Sequence, residues 1–123
     1  MDKKTILIFG YGYTSSFLSS LLIKEGWLVF VTTREEKNFS EIKKSGVQPI
    51  LFSDKKEIEK TIIKGVYVLN SIPPVKGEDP VLQKYSYLIS EKKKLIRWVG
   101  YLSTTSVYGD KKGGWVTEET NPK

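Results

Sequence analysis

The feature that most constrains this chain sits at its start. Thr5 to Phe9 (TILIF) is a short apolar, β-rich run. Gly10-Tyr11-Gly12 follows, and then a stretch with the 3–4 spacing of a helix, through Phe17, Leu18, Leu21, Leu22 and Glu25 to a stop at Gly26. A buried strand running through a glycine turn into a helix leaves few architectures open, because the helix must lie back on the sheet that the strand belongs to.

The rest of the chain repeats that alternation. Leu28 to Thr32 reads as a second strand, Phe39 to Lys44 as a short helix ended by Gly46, and Gln48 to Phe52 as a third strand. Asp54 is placed to cap a charged helix from Lys55 to Ile63. Val66 to Ile72 reads as a fourth strand stopped by Pro73-Pro74, and Lys76 to Asp79 as loop. A helix follows from Pro80, with Val81, Leu82, Tyr85, Leu88 and Ile89 as its apolar stripe, and Trp98 to Ser103 reads as a fifth strand. Val107 to Asn121 has no clear periodicity. Strands that are apolar throughout, alternating with helices, predict a parallel sheet covered on both faces. Right-handed crossovers then make it a doubly wound, Rossmann-like α/β sheet of order 3-2-1-4-5, with its ligand crevice at the carboxyl ends of strands 1 and 4. The 123 residues suffice for one such domain and not for two.

Composition narrows the chemistry. The chain has neither cysteine nor histidine. Disulfides, thiolate catalysis, cysteine-ligated metals and a Ser-His-Asp triad are therefore excluded, and no metal site is expected. The net charge of +6 suggests nucleic acid. Its lysines, however, come as scattered pairs rather than a focused patch, which fits solvated helix faces, and no nucleic-acid partner is expected. No secretory or membrane-spanning segment is legible, so the expected location is the cytoplasm, with no membrane partner.

Three places carry the candidate chemistry. In Gly10-Tyr11-Gly12-Tyr13-Thr14-Ser15, Gly10 would permit a tight turn and Gly12 close approach of a pyrophosphate, with helix N–H groups beyond it. Ser15 stands where the third glycine of G-x-G-x-x-G would be, and a plain turn is the alternative. After strand 2, Thr32-Thr33-Arg34 suits the 2′-phosphate of NADP, because a guanidinium can grip phosphate with two hydrogen bonds beside two hydroxyls. NADP is favoured over NAD unless Arg34 merely pairs with Glu35 or Glu36. Asp54 could meet the adenine edge or only cap its helix, while Asn70, Ser71 and Ile72 would line the crevice. At the end of strand 5, Ser103-Thr104-Thr105-Ser106 places four hydroxyls where open α/β sheets carry active-site groups, or caps the strand.

Taken together, GYGYTSSFL, TTR, NSIPP and LSTTSVYGD resemble the extended short-chain dehydrogenase/reductase superfamily, in particular its NAD(P)-dependent epimerase/dehydratase branch. The resemblance runs over essentially the whole chain and is most specific in STTSVYGD. It implies hydride transfer at a carbinol or keto carbon, with Thr104, four residues before Tyr108, polarising the substrate oxygen. It also implies a Tyr-x-x-x-Lys pair on a helix after strand 5, beyond Lys123. The string Tyr108 to Lys112 has that spacing, but Gly109-Asp110 makes a poor helix interior. The expectation is an incomplete NAD(P)-binding domain over residues 1–123. It would lack the later strands and substrate lobe and be inactive alone, and a small-molecule substrate would belong only to an intact relative. A non-catalytic NADP(H)-binding or regulatory module is the alternative. Homodimerisation is one way to cover the apolar surface left by the missing strands, the helix from Pro80 being a candidate interface.

Overall fold

A computed structural model describes residues 4–101. Its elements run β1 (Thr5–Phe9), α1 (Tyr13–Lys24), β2 (Leu28–Thr33), a 3₁₀ turn (Glu36–Asn38), α2 (Phe39–Lys44), β3 (Gln48–Leu51), α3 (Lys55–Thr61), β4 (Val66–Asn70), α4 (Pro80–Glu91) and β5 (Ile96–Tyr101). The five strands form one sheet of order β3-β2-β1-β4-β5, and every pairing is parallel. This is the Rossmann-like α/β topology that the alternation of strands and helices predicts.

The strand at the centre explains why. All five residues of β1 are buried, since helices cover both faces of the sheet. Leu7 and Phe9 face one core with Ile58 and Ile62 of the α3 region and Val81, Tyr85 and Leu88 of α4. Ile6 and Ile8 face the other, with Leu18 and Leu22 of α1 and Ile42 of α2. Each fully buried aliphatic or aromatic side chain contributes about 1.5–3 kcal/mol, so β1 anchors both layers.

Several elements depart from the expectations in informative ways. β2 runs one residue beyond Thr32, whereas β3 stops at Leu51 and α3 at Thr61. β4 ends at Asn70 rather than Ile72, because the Asn70 side-chain oxygen accepts the Ile72 N–H in a local turn that competes with the ladder. β5 begins at Ile96 rather than Trp98. A register shift pairs Val66 with Ile96 but Tyr67 with Trp98, skipping Arg97 and hiding the strand's start in the sequence.

The apolar stripes also need correction. On α1, Phe17 and Leu21 are exposed, and the face toward the sheet is instead Ser15, Leu18, Ser19 and Leu22. Two of these residues are buried serines, and their hydroxyls are satisfied on backbone carbonyls: Ser19 Oγ donates to the Ser15 carbonyl at 2.7 Å. On α4, Val81, Tyr85 and Leu88 form the buried seam, while Leu82 turns outward. No helix among the described residues is long and apolar enough to cross a membrane.

Candidate functional site

The carboxyl ends of β1, β2 and β4 surround a cleft of about 560 Å³, within the range of roughly 300–1,000 Å³ common for small-molecule sites. The β1 loop supplies Gly10, Tyr11 and Gly12, the end of β2 supplies Thr32, Thr33, Arg34 and Glu35, and the segment after β4 supplies Ser71, Ile72 and Pro73. Asn38, Phe52 and Pro80 complete it. Six residues singled out from the sequence thus share one wall system: Gly10, Gly12, Thr33, Arg34, Ser71 and Ile72.

The glycine turn is built for close approach. Gly10 has φ of +103°, and a side chain there would start 2.9 Å from both Ser71 Oγ and Ile72 Cγ1. Only glycine fits that backbone and that spacing. Gly12 differs, with an extended backbone at φ −104° and nothing within 4 Å of where a Cβ would stand. The space above it opens to the cleft.

Behind Gly12, α1 begins without a side-chain cap. Ser15 Oγ instead turns back to accept the Gly12 N–H at 2.9 Å, with the Gly10 carbonyl 3.3 Å away. The loop is braced a second time by Thr32, whose buried hydroxyl accepts the Gly10 N–H at 2.9 Å. No acceptor among the described residues meets the N–H groups of Tyr13, Thr14 or Ser15, the first three of the helix. These free donors and the positive end of the helix dipole fit an anion. Tyr13 and Thr14 contribute backbone here, their side chains being exposed, and Ser15 contributes packing.

At the β2 end, the ion pair that would disarm Arg34 does not form. Glu35 pairs with Lys37 at 3.3 Å, and no carboxylate among the described residues lies within ion-pair distance of Arg34. Thr33 Oγ1 accepts a hydrogen bond from Asn38 Nδ2 at 3.0 Å, so Asn38 fixes this rim of the cleft. Asn38 carries no local sequence signal, since it reaches the site through a turn five residues on. Thr32, singled out with Thr33, reaches the cleft as well, but its buried hydroxyl is taken up by the Gly10 turn.

Asp54 and Asn70 do not line the cleft. Asp54 Oδ1 accepts the Glu57 N–H at 3.3 Å and caps α3. Asn70 is buried and hydrogen-bonded to Asp79. Phe52, two residues before Asp54, forms the wall beyond β3. Its carbonyl accepts a hydrogen bond from the Tyr85 hydroxyl, which α4 carries under the sheet. Burial raises the Tyr85 pKa above its usual value, with a smaller push from the Asp54 charge. Thr104, and Ser103 and Thr105 beside it, lie outside the described residues. No cluster of three metal-ligating His, Cys, Asp or Glu side chains occurs among the described residues.

No protein-family model and no curated protein matches the chain. The solved structure of a functionally unknown conserved protein from Silicibacter pomeroyi DSS is 38% identical over 98% of this chain, with a TM-score of 0.73. The chain spans 41% of that protein's length. A Bacteroides fragilis protein whose NADP oxidoreductase activity is inferred is 15% identical over 84% of this chain and 61% of its own, with a TM-score of 0.36. That likeness is too slight to bear on function.

Proposed function

We propose that this chain binds a nicotinamide dinucleotide, with NADP preferred over NAD, as the cofactor-holding part of an epimerase/dehydratase-like oxidoreductase. The observation that carries the reading is one cleft holding three things together: an uncapped helix N-terminus behind Gly12, Arg34 free of carboxylates among the described residues, and the Ser71–Pro73 wall. The free N–H groups of Tyr13 to Ser15 and the open space above Gly12 fit a pyrophosphate. Arg34, beside Thr33 and Asn38, fits a ribose phosphate. Ser71 and Ile72 face the half of the cleft toward β4, where the nicotinamide ring would lie.

The bound nicotinamide would supply the hydride chemistry, and the protein's part is to bind, orient and exclude water. Substrate-side chemistry rests on the resemblance alone. Thr104 would hold the substrate oxygen, and the proton donor would come from a Tyr-x-x-x-Lys pair outside these residues. Titration calorimetry of the folded chain with NADPH and NADH tests the reading. Binding of NADPH about tenfold or more tighter than NADH is the expected result. No heat with either at millimolar concentration refutes it.

A further inference from the structure

A buried, hydrogen-bonded amide lies not in the cleft but behind its wall. Asn70 is only 7% exposed at the end of β4, and its amide donates to both oxygens of Asp79, at 3.1 and 3.0 Å. Its carbonyl oxygen accepts the Ile72 N–H at 3.1 Å. Asp79 in turn accepts the Val81 and Leu82 N–H groups at 2.9 and 3.3 Å, and so caps α4. A buried amide at a strand end is costly unless every hydrogen bond is met. Capping α4 needs only Asp79, and ending β4 needs only the Asn70 side-chain oxygen, so neither accounts for the amide's bonds to Asp79.

What the pair adds is a bridge across the segment 71–79, whose first three residues are the β4 wall of the cleft. Its near end is fixed to β1 by Ser71, whose N–H and Oγ both donate to the Phe9 carbonyl, at 3.0 and 2.8 Å. Its far end folds on itself, with Val75 and Glu78 exchanging backbone hydrogen bonds around Lys76 and Gly77, both at positive φ. The Asn70–Asp79 pair ties the two ends together. Through the Ile72 N–H it also holds one of the two residues that pack nearest Gly10.

From this geometry we propose that Asn70 and Asp79 form a positioning latch. It holds the Ser71–Ile72–Pro73 wall at the spacing the dinucleotide requires, coupling the first turn of α4 to the cleft. The proposal rests on the dinucleotide reading. Neither side chain touches the ligand; both act through the backbone of Ile72 and the start of α4.

Reversing the pair tests it. Asn70→Asp sets two carboxylates against each other. The double variant Asn70→Asp/Asp79→Asn exchanges the two roles. The amide now at position 79 donates to the carboxylate now at position 70, which still accepts the Ile72 N–H. The side-chain oxygen at position 79 still caps α4, since asparagine and aspartate cap about equally well. NADPH affinity, thermal midpoint and amide exchange at Ile72 are measured for both. Ile89→Ala, on α4 but away from the cleft, serves as the control for lost stability. The expected result is NADPH binding weakened about tenfold in Asn70→Asp, with faster exchange at Ile72, and recovery to within about threefold in the double variant. Ile89→Ala lowers the midpoint without that loss of affinity. Two results overturn the latch: Asn70→Asp binding NADPH as well as Ile89→Ala does, or no recovery on reversal. Absence of NADPH and NADH binding by the unaltered chain removes the dinucleotide reading and the latch's role with it. A chain that binds normally with an indifferent Asn70→Asp removes the latch alone.

Discussion

Helices α1, α3 and α4 begin at the carboxyl side of the sheet, and their first turns are finished in opposite ways. The starts of α3 and α4 are closed by carboxylates of the chain itself, Asp54 and Asp79, which accept the N–H groups of the first turn. The start of α1 is left open, because its capping residue is Gly12 and its first three N–H groups meet no acceptor among the described residues. An aspartate cap contributes about 1 kcal/mol to a helix. The start of α2 also lacks a side-chain cap, but among the described helices α1 alone begins behind a cleft-lining glycine, where the proposed anion from outside would sit. The lesson concerns the pair of glycines as well. Gly10 is glycine because the fold admits nothing larger, whereas Gly12 is glycine although the fold would admit a side chain.

The largest effect that sharpens this comparison is expected at Gly10. Gly10→Val combines a forbidden φ with contacts under 3 Å to Ser71 and Ile72, and should cost several kcal/mol, about 3 or more, enough to unfold much of a marginal domain. A midpoint of chemical denaturation close to the parent's would show that the turn tolerates a side chain and that the contrast between the glycines is unfounded.

Next in size is Arg34→Ala. Removing a charge-assisted phosphate contact should weaken NADPH about 10- to 100-fold and leave NADH within about threefold, as read by fluorescence titration. Equal losses for the two cofactors would assign Arg34 a general electrostatic role instead.

The smallest effect concerns the brace beneath the far wall. Tyr85→Phe removes the hydroxyl that bonds the Phe52 carbonyl and should cost about 1 kcal/mol at neutral pH. Because burial raises the folded-state pKa of Tyr85 above its unfolded value near 10, its neutral form stabilises the fold fully below that pH. This stability is lost as pH rises through the folded pKa. Thermal midpoints of the parent should therefore fall more steeply above about pH 10 than those of Tyr85→Phe. Parallel alkaline curves would show that Tyr85 does not couple to folding.

Much of this is legible in the sequence for a physical reason. A strand buried on both faces must be apolar throughout, so TILIF, LVFVT and VYVLN announce a parallel sheet, and the crossover rule then orders it. Gly10, Gly12, Thr33, Arg34, Ser71 and Ile72 are legible as candidates because a doubly wound sheet gathers its strand ends, and the cleft brings these six together. Other details depend on groups meeting through space. Phe17 and Leu21 have the right spacing to face the sheet, yet Ser15 and Ser19 take that face, because their hydroxyls find backbone carbonyls in the helix and its turn and so can be buried. Asn38 and Phe52 enter the cleft through turns, and Asn70 is drawn away from it by Asp79, nine residues later, a pairing that no local pattern encodes. Whether a residue faces the ligand or holds a neighbour that does is settled by those hydrogen bonds through space.

Gly12→Val shows whether the open start of α1 is a dinucleotide site. The extended backbone at Gly12 and the empty space around it let valine enter without disturbing the fold, and its side chain is expected to obstruct the approach to the Tyr13–Ser15 N–H groups. The account predicts a thermal midpoint within a few degrees of the parent, about 4 °C at most, together with loss of measurable NADPH binding. Binding retained at parental affinity in a folded Gly12→Val chain would contradict it.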